Sequence, residues 1–267
     1  MSAPVSTRDV LLSVVKVSLA FGGNQVLRDV SLDVDRGQLY AIIGPNGAGK
    51  TSLFNVLTRI YQANAGQAVF DDANLFDSTT TDLAALGIMR TFQNILVLKE
   101  ISVLDNVLLG LHTSYKTSLI SAAIGSVSHA NEERLKRDLA REALKIVGLE
   151  NVADLYAGSL PFGHLRLLEL ARSIASSPKL IFLDEPSAGM TSQEIEGLMR
   201  TIEKIRVSLN PTILLIAHTM RLVMNVSERI MVLHHGATIA EGTPQEISSD
   251  EAVIEAYLGK ASNHVDA

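Results

Sequence analysis

The 267-residue sequence predicts an α/β fold around a mostly parallel sheet. Short, wholly apolar runs at residues 39–43, 180–183 and 212–216 have the make-up of strands buried on both faces. Between them lie segments whose apolar residues recur at helical spacing, so strands alternate with helices and the crossovers are right-handed. A glycine-rich turn, Gly44 to Gly49, joins the first of these runs to a helical segment at residues 52–57.

Residues 11–17, 31–34 and 39–43 read as strands, punctuated by Gly22-Gly23 and Arg36-Gly37. Another strand is expected at residues 67–70, between Gly66 and Asp71-Asp72. From about residue 101 to residue 176 the periodicity is mostly helical. Leu135, Leu139, Ala143 and Ile146/Val147 mark one face there, and Gly148 is a stop signal. Ile195, Leu198, Met199, Ile202 and Ile205 mark the face of a later helix. Thr191 with Glu194 reads as the capping box that starts it. Strands at 230–234 and 238–240 flank Gly236, and a helix at 251–258 follows. One domain over residues 10–260 is expected, with the helix-rich part at roughly 95–176 inserted into it. Residues 1–9 and 261–267 are expected to be flexible ends.

Hydrophobic residues make up 47% of the chain, enough for a sizeable core. The net charge of -6 argues against a general nucleic-acid binder, and aromatics at 4% leave little for base stacking. With no Cys, disulfide scaffolds, thiolate zinc sites and Cys nucleophiles are excluded. His112, His129, His234, His235 and His264 have no metal-like spacing. No run approaches the roughly 20 apolar residues needed to cross a bilayer. The expectation is a cytoplasmic protein that any membrane role would tether through another subunit.

Gly44-Pro45-Asn46-Gly47-Ala48-Gly49-Lys50-Thr51 fits G-x-x-x-x-G-K-[ST], the phosphate-binding P-loop, with Ser52 next in the helix. Its glycines let backbone N–H groups curl around a phosphate, and the helix N-terminus adds partial positive charge. Lys50 is expected at the terminal phosphates and Thr51 on Mg²⁺. The apolar run at 180–183 ends in Asp184 and Glu185. Asp184 is placed to hold Mg²⁺ through water, and Glu185 to take a proton from an attacking water. No Asn-Lys-x-Asp motif occurs, which disfavours a GTPase.

In this order of motifs the chain, from about Leu11 to Lys260, resembles the ATPase subunits of ABC transporters. The resemblance implies a RecA-like P-loop core, an antiparallel β-subdomain and an inserted helical subdomain, with ATP and Mg²⁺ as cofactors. It implies that Gln93, in Thr91-Phe92-Gln93-Asn94, is the Q-loop residue, touching Mg²⁺ and the attacking water. It relays the site's state to a membrane partner. His218 matches the switch histidine that contacts the γ-phosphate. Phe21 lies where an aromatic ring stacks on adenine, the alternative being a packed strand-end aromatic. Leu160-Pro161-Phe162-Gly163-His164 stands at the signature motif, and Ser187-Ala188-Gly189-Met190 at the D-loop. The implied partners are a second ATPase subunit paired head to tail, integral membrane permease subunits and, indirectly, a periplasmic or extracellular solute-binding protein.

Within that family the chain is similar to the ATPases of branched-chain amino acid uptake systems. The similarity lies in Phe21-Gly22-Gly23, Arg90-Thr91-Phe92-Gln93, an extra stretch at 111–133, and Glu255-Ala256-Tyr257-Leu258-Gly259. It departs from the family pattern in three places. The signature has Pro161 and His164 where Ser and Gln are usual. Ala217 precedes the switch histidine in place of Glu, and Thr219 follows it where this subfamily often has Asp. Pro161 suits the first turn of the helix expected through residues 165–174. The competing reading is a regulatory or non-transport ABC ATPase with weak hydrolysis.

Overall fold

The computed structural model describes residues 9–91, 93, 95–111 and 127–258. In chain order they form β1 (Val10–Phe21), β2 (Asn24–Asp35), β3 (Leu39–Ile43), α1 (Lys50–Leu57), β4 (Ala65–Phe70), β5 (Ala73–Asn74), α2 (Asp82–Leu86), β6 (Ile88–Arg90) and α3 (Val103–Leu111). There follow α4 (Val127–Val147), α5 (Phe162–Ile174), β7 (Leu180–Asp184), α6 (Ser192–Leu209), β8 (Thr212–Ile216), α7 (Met220–Val226), β9 (Arg229–His234), β10 (Ala237–Gly242), α8 (Pro244–Ser249) and α9 (Glu251–Leu258). The chain divides into two compact units, residues 1–80 with 212–267, and residues 81–211.

The first unit holds an antiparallel sheet in the order β2-β1-β4-β5. It also holds β3, which runs parallel to β8 and β9, with β10 antiparallel to β9. Every residue of β3 and β8 is buried, the apolar ones as their runs require and Thr212 with its hydroxyl accepting from the Gly37 N–H at 2.8 Å. Each Leu or Ile so buried is worth about 1.5–3 kcal/mol relative to exposure. Strand β1 runs past the expected end at Val17, because a bulge hides its second half. Lys16 has φ 49° and the register shifts between Val14 and Val17. The buried positions therefore change parity, from Leu12 and Val14 to Val17 and Leu19, and simple alternation fails. Of the ends expected to be flexible only Asp9 lies among the described residues. It is tied down, its carbonyl accepting from the Arg36 N–H at 2.8 Å and its carboxylate from Arg36 Nε at 3.1 Å.

In the second unit β6 pairs in parallel with β7, Ile88 beside Leu180 and Arg90 beside Phe182. Helices α3, α4 and α5 pack on one another. Helix α4 stops where Gly148 predicts. Gly148 has φ 81°, its N–H reaches the Lys145 carbonyl at 3.1 Å, and the Leu149 N–H reaches that of Leu144 at 2.8 Å, the paired bonds of a Schellman end. The buried face of α4 agrees with the expected one at Ala143, Ile146 and Val147 and departs from it in the first half of the helix. Leu135 is 49% exposed, while Lys136, Ala140, Ala143, Leu144 and Val147 are buried. The Lys136 stem lies inward and its ammonium pairs with Glu132 at 2.7 Å, so a charged residue takes a position that counting apolar residues gives to Leu135. Helix α6 begins with both halves of the Thr191–Glu194 capping box and buries Leu198, Ile202 and Ile205. Most of the extra stretch at 111–133, namely 112–126, lies outside the described residues. Among those described, no helix is long and apolar enough to cross a membrane.

Candidate functional site

In the first unit, β3 hands the chain to the P-loop at its carboxyl end, and α1 begins at Lys50. Two glycines are there for want of room. Gly44 has φ 147°, and a Cβ on it would lie 2.0 Å from the Leu233 carbonyl oxygen. Gly49, the N-cap of α1, has φ 103°, and a Cβ there would meet the Val26 carbonyl oxygen at 2.9 Å. Backbone bonds brace the loop from outside, the Gly236 N–H donating to the Ala48 carbonyl at 3.0 Å. The Lys50 side chain is buried, with Nζ donating to the carbonyls of Gly44 at 2.7 Å and Pro45 at 2.9 Å. Asn46, Gly47 and Thr51 are exposed, while Pro45 and Ser52 are half-buried. A buried ammonium group and a glycine-rich turn thereby stand together at one helix N-terminus, an arrangement suited to a polyphosphate.

Phe21, at the end of β1, is 49% exposed and meets Tyr61 edge-on at 5.2 Å. His218 lies two residues past the end of β8 and is exposed. One residue escaped the sequence reading except as part of a pattern. On α9, burial pushes the Tyr257 hydroxyl up, and the backbone of Gly44 in the P-loop opposes that shift.

In the second unit, β7 ends in Asp184, 2% exposed, and Glu185, half-buried. Arg90 on β6 donates to Asp184 Oδ2 at 2.7 Å. Burial pushes the Asp184 carboxyl up, and Arg90 opposes that shift. Asp184 Oδ1 is buried and has no hydrogen-bond partner among the described residues. Glu185 sits at φ 50°, a left-handed conformation unusual for a side chain of this kind, and such strain gathers at working sites. Gln93 Nε2 donates to Glu185 Oε2 at 3.2 Å, so two expected catalytic residues are brought together. Phe92 and Asn94 lie outside the described residues.

Sequence reasoning missed Arg90 as the partner of Asp184, although it stands in the Arg90–Gln93 pattern. It also missed Arg166, whose guanidinium donates to the Gln93 carbonyl and, at 3.0 Å, to Glu169. Helix α5 begins at Phe162, so Pro161 is its N-cap and not part of its first turn, and it offers no side-chain cap. Pro161, Phe162 and His164 are exposed; Leu160 and Gly163 are buried. The Phe162 ring lies against Gly189 of the D-loop, 3.3 Å from where a Cβ would stand.

Residues 27–188 match the ABC transporter family, and residues 237–262 match the family described as branched-chain amino acid ATP-binding cassette transporter. The high-affinity branched-chain amino acid transport ATP-binding protein BraF of Pseudomonas aeruginosa is 38% identical over 251 residues, 94% of this chain and 98% of BraF. LivG of Escherichia coli strain K12, of the same description, is 38% identical over the same shares. A probable LivG of Methanocaldococcus jannaschii is 32% identical over 90% of this chain and 94% of its own length. Among solved structures, a nucleotide-free ATP-binding cassette from an ABC transporter superposes with a TM-score of 0.81 at 30% identity, covering 94% of this chain and all of that one, 100%. An ATP-binding cassette of an ABC transporter in its ADP conformation gives a TM-score of 0.81 at 30% identity, covering 94% and 99%. The P-loop core, its antiparallel β-subdomain and these matches over nearly the whole length lead to one conclusion: the chain belongs to the ABC transporter family and is one of its ATP-binding, ATP-hydrolysing subunits.

Proposed function

We propose that the chain is the motor of an importer for branched-chain amino acids or related small polar solutes. It acts as one of a pair of ATPase subunits held to the inner face of the membrane by permease subunits, with a solute-binding protein outside. What supports the substrate class is the C-terminal segment at 237–262, which matches the branched-chain family separately from the ATPase match.

In this reading Gly44 to Ser52 bind the phosphates, Lys50 supplies the charge and Phe21 offers a ring face to adenine. His218 contacts the γ-phosphate. The signature residues Leu160 to His164 face ATP held by the paired chain. Thr51, Gln93 and Asp184 would hold Mg²⁺, and the buried Asp184 Oδ1, without a hydrogen-bond partner among the described residues, fits that assignment. When bound, the ion neutralises charge developing on the phosphates. Glu185 accepts the proton of the attacking water, and its hydrogen bond to Gln93 supports that role by orienting the carboxylate.

The carrying experiment is Glu185→Gln. The amide keeps the shape and loses the base, so turnover falls about 10²–10⁴-fold while ATP binding persists. Gel filtration with ATP then shows an accumulated dimer. A variant that stays monomeric and hydrolyses at the parent rate overturns the assignment.

A further inference from the structure

The signature loop has lost its own cap. Pro161 is the N-cap of α5 and carries no acceptor side chain. A carboxylate from a different helix fills in. Glu194 on α6 accepts from the Thr191 N–H and hydroxyl, both at 2.8 Å, and from the Gly163 N–H of α5. The fit is close, because a Cβ on Gly163 would lie 2.6 Å from Glu194 Oε1. One side chain therefore caps two helices.

We propose that Glu194 is a positioning residue of the signature loop that holds the Gly163 N–H for itself and competes with a nucleotide phosphate for the first turn of α5. The proposal rests on the reading that this loop meets the paired chain's ATP. Its physical basis is that carboxylate and phosphate are both anions drawn to the same N–H groups and the same helix end. The carboxyl is held below the usual carboxylate range, first by the Thr191 N–H, then by the Thr191 hydroxyl, with smaller help from Gly163 and His164. It is therefore charged at neutral pH. A side chain that must yield needs somewhere to go. A cavity of about 270 Å³ opens beside it, lined by Pro161, His164, Leu167, Met190, Gly197 and Thr201. Glu194 is only half-buried, so a swing into that space leaves the core side chains of α6 in place.

Glu194→Gln separates competition from capping. Glutamine also completes a capping box, so α6 keeps its start while the charge is lost. In a Glu185→Gln background, gel filtration across an ATP series should show half-dimerisation at about two- to five-fold lower ATP when Glu194→Gln is added. Glu194→Ala loses the cap of α6 and should melt earlier, yet it should also need less ATP to pair. A purely structural role gives the opposite sign: equal or higher ATP demand in Glu194→Gln overturns the proposal. If no ATP-dependent dimer forms in either background, the signature-loop reading fails first, and this inference falls with it.

Discussion

The P-loop and the signature loop are both glycine-bearing turns that lead into a helix, and they are built in opposite ways. Around the P-loop the restraints are mainly backbone against backbone, with Gly44 under the Leu233 carbonyl, Gly49 under that of Val26 and beside the Leu27 side chain, and Ala48 held by the Gly236 N–H. Nothing there yields cheaply. At the signature loop Gly163 is confined by the far end of a side chain, Glu194, and Gly189 by the Phe162 ring. The N-cap is a proline that caps nothing. A loop made of backbone restraints has one shape. A loop restrained by side chains has a shape that other residues can retune.

The largest expected effect lies in the rigid loop. Lys50→Ala removes the full positive charge from the phosphate cradle, and steady-state ATPase should fall about 10²–10³-fold. Parent-level turnover would mean that the cradle is not where ATP is held. Next comes a matched pair of glycines. Gly44→Ala forces a Cβ onto a backbone oxygen at a positive φ and should cost about 2–4 kcal/mol in thermal or urea unfolding. Gly163→Ala meets first the Glu194 side chain, which has room to move, and should cost less than about 1 kcal/mol. Equal losses at the two positions would break the contrast. A further change, read in dimerisation and not in folding, is Pro161→Ser. It restores a hydroxyl that can donate to a phosphate, and a hydrogen bond to a charged group of this kind tightens the ATP-dependent dimer roughly ten-fold. An unchanged midpoint in an ATP titration by gel filtration would show that this position does not reach nucleotide.

What the sequence determined by itself is what depends on near neighbours. The P-loop spacing, the stop at Gly148, the Thr191–Glu194 box and the apolar runs of β3, β7 and β8 each rest on residues within one turn or one strand. Backbone conformation and burial at those places follow from local sterics and composition. Asp184 and Glu185 were legible for the same reason, as two carboxylates at the end of an apolar strand. Tertiary structure alone decided which distant groups answer the needs that folding creates. Arg90 pairs with Asp184 across 94 residues, and Arg166 reaches the Gln93 carbonyl across 73. Glu194, legible as a cap for its own helix, also takes the orphaned N–H of another. Lys136 turns inward while Leu135 turns out. A buried polar group must find a partner, but its identity depends on what the fold brings within about 3 Å, and no periodicity in the chain records that distance.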